Sequence, residues 1–199
     1  WGDYDRLSER LIYYFSSESI EGFSESVVHR YEEDFGYKFV MGCLSTIAFS
    51  RVGMKEQELI DIHGLKHRDW SLFHSAFRWH LVSQQGLLSF SHGYLKEAVR
   101  TLYASEETDS RSAIIAYFTG HENSPRKHEE VAYQYHALDN DAELYKSLLN
   151  YNCISHHLYN QEQLLSRYWT YLLNKDKAAY TLDVYMDSYK DDISDGALY

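Results

Sequence analysis

The sequence predicts a mainly α-helical protein: a winged helix with one small β-hairpin, followed by stacked antiparallel helices of a superhelical or tetratricopeptide-like kind. Three observations support this fold class. Apolar residues recur at helical spacing through most of the 199 residues. The period changes to that of β-strands in only one region, around Gly86. Pro125 is the only proline, which is typical of an ordered, helix-rich chain.

Five helices of the first half are each marked by an apolar stripe. The stripes are Leu7, Leu11, Ile12 and Phe15; Phe23, Val27, Tyr31 and Phe35; Val40, Leu44, Ile47 and Ala48; Leu59 and Ile62; and Trp70, Phe73, Phe77 and Leu81. Gly36 follows the second stripe and Gly64 the fourth, and both are fitting helix stops. The first 22 residues are predicted to be a helical linker from an upstream domain.

The stretch "LVSQQGLLSFS" predicts two short strands around Gln84-Gln85-Gly86. A further helix follows from Tyr94 to Tyr103. Three helices, a hairpin and a helix form the element order of a winged helix, which we assign to residues 23–104.

Only helices are predicted in residues 105–199, which we assign to a helical, superhelical domain. Ser124-Pro125 provides a cap and a first helical residue. The apolar stripes are Ile114, Ile115 and Phe118; Val131, Tyr135 and Leu138; Leu144, Leu148 and Leu149; Leu165, Trp169 and Leu172; and Tyr180 and Val184. Short polar turns between them indicate helical hairpins, but no repeat period emerges, so a true repeat array is left open.

Charge and cysteine usage restrict the function. The formal net charge of −11 disfavours nucleic acid as a partner, because phosphate backbones repel such a surface. Cys43 and Cys153 fall in apolar helical patterns, which predicts buried free thiols and a cytoplasmic protein. No apolar run approaches the ~20 residues of a membrane span. The chain opens at Trp1 without an initiator Met, so we expect it to be part of a longer protein.

Motifs for catalysis are missing from the sequence. It contains no Gly-rich phosphate loop, no His-Glu-x-x-His helix and no paired Cys-x-x-Cys, so we assign no catalytic residue and no metal ligand. The pairs His63/His67 and His156/His157 are interpreted as solvated or capping histidines, and Glu129-Glu130 as a solvated face or a helix start. Ser91-His92 lacks the third partner that a nucleophile and its base require.

Three stretches carry a resemblance to a known family. In "YEEDFGYKFVMGCLSTIAFSRVGMKEQELIDI", an acidic helix end precedes a long apolar helix and a Gly-to-Glu-Leu helix start. The stretch "LLSFSHGYLKEAV" joins a strand to a helix, and "SPRKHEEVAYQYHALDNDAELYKSLLN" precedes a Tyr-Trp pair. In order and spacing they resemble the winged helix and following helical region of NACHT-type STAND NTPases, including nephrocystin-3-like and telomerase-associated-protein-like members, over roughly residues 23–173.

The resemblance implies a non-catalytic regulatory and coupling fragment of a nucleotide-switched NTPase. It places His92 where relatives contact the β-phosphate of bound ADP and hold the closed state. The fragment itself would carry no cofactor, whereas ATP and ADP would belong to the parent protein. Ser91 and Gly93 depart from the family's apolar and acidic neighbours of this histidine, and Lys55 stands where a Ser or Thr cap is usual.

The resemblance also implies the partners, namely the upstream nucleotide-binding domain and proteins that meet the helical region, with control of oligomerisation as the outcome. The alternative is a helical-hairpin interaction scaffold without nucleotide sensing, which would bind a peptide in a Tyr-lined groove. A winged-helix DNA reader would need basic residues before the wing, and the helix from Trp70 to Leu81 offers only Arg78.

Overall fold

The computed structural model describes residues 19–121, 125–176 and 180. The helices are α1 (Ile20–Phe35), α2 (Tyr37–Phe49), α3 (Glu56–His63), α4 (His67–Phe77), α5 (Gly93–Leu102), α6 (Glu107–Gly120), α7 (Pro125–Ala137), α8 (Asp141–Leu149), α9 (Tyr151–Asn160) and α10 (Glu162–Lys175). Strands β1 (Leu81–Gln84) and β2 (Leu87–Phe90) form one antiparallel hairpin. The mainly helical class with a small hairpin is confirmed.

Two compact units make up the chain, an N-terminal unit that runs to Tyr117 and a C-terminal unit that begins at Phe118. The division falls inside α6. The helix predicted at Leu7 to Phe15 and the stripe residue Val184 lie outside the described residues.

In the N-terminal unit, α1 to α4 precede the hairpin, and α5 and most of α6 follow it. Between α2 and α3, Met54 forms an isolated antiparallel bridge to Leu88 of β2, with N–O distances of 3.0 and 2.8 Å. The hairpin follows α4 after a 3₁₀ turn at Arg78–His80. Helix α5 then packs on α1 and α2, so the junction between β2 and α5 is held by the centre of the unit.

Gly53 allows the bridge between Met54 and Leu88. Its φ of 121° is one that L-residues with a side chain rarely adopt. A Cβ built there would also lie 2.4 Å from the carbonyl oxygen of Leu88. The close approach of the two backbones therefore requires glycine at this position.

The hairpin turn contains two residues, Gln85 and Gly86, with φ values of 53° and 78°. Two positive φ values are those of a type I′ turn, whose twist matches that of the strands. Gln84, which the sequence placed in the turn, pairs with Leu87 as the last residue of β1. The turn is therefore tighter than predicted.

The core of the N-terminal unit is built on aromatic rings of α4. Trp70, Phe73 and Phe77 are buried, as predicted, together with Leu44, Ile47 and Leu88 of the elements around them. The Phe73 ring meets Phe35 and Phe39 edge to face, at centroid distances of 5.4 Å each. Leu81 continues the buried surface from β1 rather than from the helix, because the 3₁₀ turn separates them.

Polar side chains close the end of α2, whose last carbonyl groups have no partner within the helix. Arg100 Nε donates to the carbonyl oxygen of Ala48 and Arg111 Nη1 donates to that of Phe49, both at 3.2 Å. The two guanidinium groups also lie over the Phe49 ring. Positive charge at a helix C-terminus is favourable, so these contacts fix α5 and α6 against α2.

The C-terminal unit consists of helices joined by very short connections. α7 packs on α8 and on α9, and α9 packs on α8 and α10, as in stacked helical hairpins. Single residues, Asn150 and Gln161, link α8 to α9 and α9 to α10. The core of this unit comes mostly from aliphatic and tyrosine side chains: Ala132, Leu144, Tyr145, Leu148, Cys153, Leu165, Tyr168 and Leu172.

Candidate functional site

His92 is the N-cap residue of α5 and lies directly after the hairpin. Its backbone is extended, and its side chain is exposed and makes no capping hydrogen bond. The adjoining Ser91 N–H donates to the carbonyl oxygen of His80 at 2.9 Å, which holds the end of the hairpin. The backbone of His92 is therefore held in place, and its imidazole belongs to the residue next to the first amide groups of α5.

A second histidine, His80, lies close to His92. Its ring packs 5.0 Å from the ring of Phe77 and 6.0 Å from that of Tyr31. Burial lowers the pKa of His80 below its ordinary value, and the nearby His92 lowers it further. The sequence interpretation missed His80. The pairing of Leu81 with Phe90 brings it to the junction, and only knowledge of that register could have found it.

The junction combines two groups whose chemistry suits an anion. A helix N-terminus carries partial positive charge, and an imidazole next to it supplies a further donor. The Ser91 hydroxyl is buried and has no hydrogen-bond partner among the described residues. It consequently forms no bond to His92, so the geometry contains no activated serine nucleophile.

Of the four histidines interpreted as solvated or capping, His63 and His156 are half-buried and His157 is fully buried. His63 Nε2 lies 2.8 Å from Thr46 Oγ1, and burial lowers the pKa of His63. His157 is completely buried within the C-terminal unit. The solvated interpretation of Glu130 is also wrong, since it is 1% exposed and accepts a hydrogen bond from Gln134. Within residues 19–121, 125–176 and 180, no three potential ligands cluster in a way that could hold a metal ion.

Both cysteines are buried free thiols, as predicted. Burial raises the pKa of Cys43 and of Cys153 to about 12. Because the thiolate is the reactive form, neither side chain is suited to nucleophilic or redox chemistry.

Two large apolar side chains are exposed on α4 and in the 3₁₀ turn that follows it. Leu72 is 56% exposed and Trp79 is 75% exposed. The guanidinium of Arg78 lies 4.7 Å from the centre of the Trp79 ring. Such a surface, with a large ring beside a cation, is typical of protein contacts rather than of phosphate contacts.

None of the described helices is both long and apolar enough to cross a membrane. The resemblance to STAND NTPases stays a prediction from the motifs. No family model, no curated protein and no solved structure matches this chain.

Proposed function

We propose that this chain is a non-catalytic coupling part of a nucleotide-switched NTPase of the STAND class. In the parent protein, which we expect in the cytoplasm, His92 would contact the β-phosphate of ADP held by an upstream nucleotide-binding domain. This contact would favour the closed state, and its loss would release the protein for oligomerisation. The helical C-terminal unit would meet protein partners.

The position of His92 carries the proposal. A side chain that is exposed, makes no capping bond and follows a hairpin held by backbone pairing contributes little to its own fold. It is available to a ligand that another domain holds. A hydrogen bond to a charged group is worth roughly 1.5–3 kcal/mol, or about ten- to a hundredfold in the ratio of closed to open states.

The surface of α4 supports protein contacts over DNA contacts. In a winged-helix DNA reader this helix enters the major groove and needs cationic side chains. Here the exposed large apolar side chains are Leu72 of α4 and Trp79 of the 3₁₀ turn that follows it, and the chain has a net charge of −11. We expect duplex DNA to bind negligibly at about 50 mM salt, where electrostatic binding is strongest. Micromolar binding with a steep salt dependence in fluorescence anisotropy would contradict this expectation.

The test of the proposal uses the full-length parent and the rate at which it releases a fluorescent ADP analogue. Replacing His92 by Ala should speed release by about ten- to a hundredfold and increase spontaneous oligomers seen by light scattering. His67→Ala is the matched control, because His67 is also an exposed histidine at the start of a helix of the same unit. Equal release rates for wild type and both variants would reject the proposed role of His92.

A further inference from the structure

The C-terminal unit contains a cavity of about 510 Å³ between α7, α8 and the start of α9. This volume is within the range of sites that bind small ligands, and it could hold two adjacent side chains of a peptide. One wall is apolar, because Val131 and Cys153 are buried there. The cavity lies in the C-terminal unit, and nothing in the proposed nucleotide contact of His92 uses it.

The charged side chains of the cavity leave one positive charge without a partner. Lys146 Nζ lies 2.5 Å from Glu143 Oε1, so these two charges compensate each other. Lys127 lines the same cavity and has no carboxylate within ion-pair distance in the part of the chain that the structure describes. In a chain of net charge −11, an uncompensated ammonium beside an apolar wall is a specific attraction for one anionic group.

Neutral side chains line the same cavity as this ammonium. Burial lowers the pKa of His128, and the neighbouring His156 and Lys127 lower it further, so its imidazole is neutral at pH 7 and keeps one N–H. Burial and the nearby carboxylate of Glu143 raise the pKa of Tyr135, whose hydroxyl stays protonated. The raised pKa of about 12 of Cys153 makes its thiol unreactive, so a ligand here is held without a covalent bond.

We propose that this cavity binds an acidic peptide segment, with one carboxylate side chain on Lys127 and an adjacent apolar side chain against Val131 and Cys153. A single uncompensated cation matches the single charge of Asp or Glu. A phosphate dianion fits less well, because the charged side chains of the cavity sum to a single positive charge. The remaining lining is mostly polar, so the carboxylate and the backbone of such a peptide both meet hydrogen-bonding groups there.

The test uses the whole chain, uniformly labelled with ¹⁵N, and a blocked peptide of Gly, Ser and Ala with a central Leu-Glu pair. Backbone amide shifts of Lys127, His128 and Cys153 should move on titration and saturate. The same peptide with Leu-Gln should bind about five- to tenfold more weakly, because a charge-assisted bond is lost. Binding of the Leu-Glu peptide should also weaken as salt is raised.

The substitution Lys127→Gln should weaken binding of the Leu-Glu peptide by a similar factor. Arg167→Gln is its control, because it removes the same charge from an exposed position on α10, outside the cavity. Three results would each overturn the proposal. The Leu-Glu peptide could cause no saturable shifts, the Leu-Glu and Leu-Gln peptides could bind equally, or Lys127→Gln could leave the affinity for the Leu-Glu peptide unchanged. Inorganic phosphate that moves the same amides at lower concentration than the peptide would overturn it in favour of a phosphate site.

Discussion

The two units of this chain are built in different ways. The N-terminal unit buries most of the largest fully enclosed side chains, among them Trp70, Phe73 and Phe77. It also fixes helix ends with arginine side chains and backbone pairing. The C-terminal unit relies on leucines and tyrosines between short helices and leaves a cavity lined by Lys127 and Lys146. A unit with a large buried aromatic core suits the fixed display of one residue, and a unit with an open cavity suits the binding of a ligand.

The largest expected effect concerns the aromatic core. Phe77→Ala should lower the free energy of unfolding by about 3–5 kcal/mol, because it removes a fully buried ring and leaves a cavity. Leu72→Ala on the same helix should change it by less than about 0.5 kcal/mol, because Leu72 is 56% exposed. Urea denaturation measures both. A loss below about 1 kcal/mol for Phe77→Ala would mean that this ring does not hold α4 to the hairpin.

A smaller effect should separate two glycines of the N-terminal unit. Gly53→Ala should destabilise the fold by about 1–3 kcal/mol, because the positive φ and the Leu88 carbonyl oxygen both oppose a Cβ. Gly93→Ala should be neutral or mildly stabilising, because a Cβ there meets nothing within 4 Å and the residue is helical. The midpoint of thermal unfolding should therefore fall for Gly53→Ala, whereas for Gly93→Ala it should stay the same or rise slightly. Similar midpoints would contradict the bridge between Met54 and Leu88.

The pH dependence offers a further contrast, at His63. Because burial lowers the folded-state pKa of His63 below 6.5, the unfolded chain binds the proton more readily. This contribution to stability is present above about pH 6.5 and is lost as the pH falls toward the folded pKa. His63→Gln should reduce the loss of stability between about pH 7 and 5.5, whereas His67→Gln at an exposed position should not. Urea denaturation at both pH values is the measurement, and an identical change of stability with pH for all three proteins would contradict the half-buried position of His63.

The local features of the N-terminal unit could be predicted because they leave local signals. The change of period at Leu87 to Phe90 and the Gly86 turn are readable within a few residues. The prediction placed His92 at the start of a helix for the same reason. His80 was missed, because its proximity depends on the strand register, a relation between residues that are distant in the sequence.

The C-terminal unit was harder to predict for physical reasons. The sequence placed Cys153 in a helical pattern but did not delimit α9 as an element of its own. Its buried face includes His157, and the polar residues Asn150 and Gln161 replace the usual Gly or Pro stops. The cavity depends on how three helices pack, so no local sequence pattern predicts it. Glu130 appears polar and solvated in the sequence, whereas Gln134 one turn later gives it a buried partner.

The ADP content of the purified full-length parent tests the central claim most directly. We expect His92→Ala to lose most of its bound ADP while its free energy of unfolding in this isolated chain changes by less than about 0.5 kcal/mol, because the side chain is exposed and uncapped. Lys127→Gln, in the other unit, should keep the wild-type amount of ADP. A parent with His92→Ala that retains as much ADP as wild type would contradict the account, as would unfolding of this chain by the same substitution.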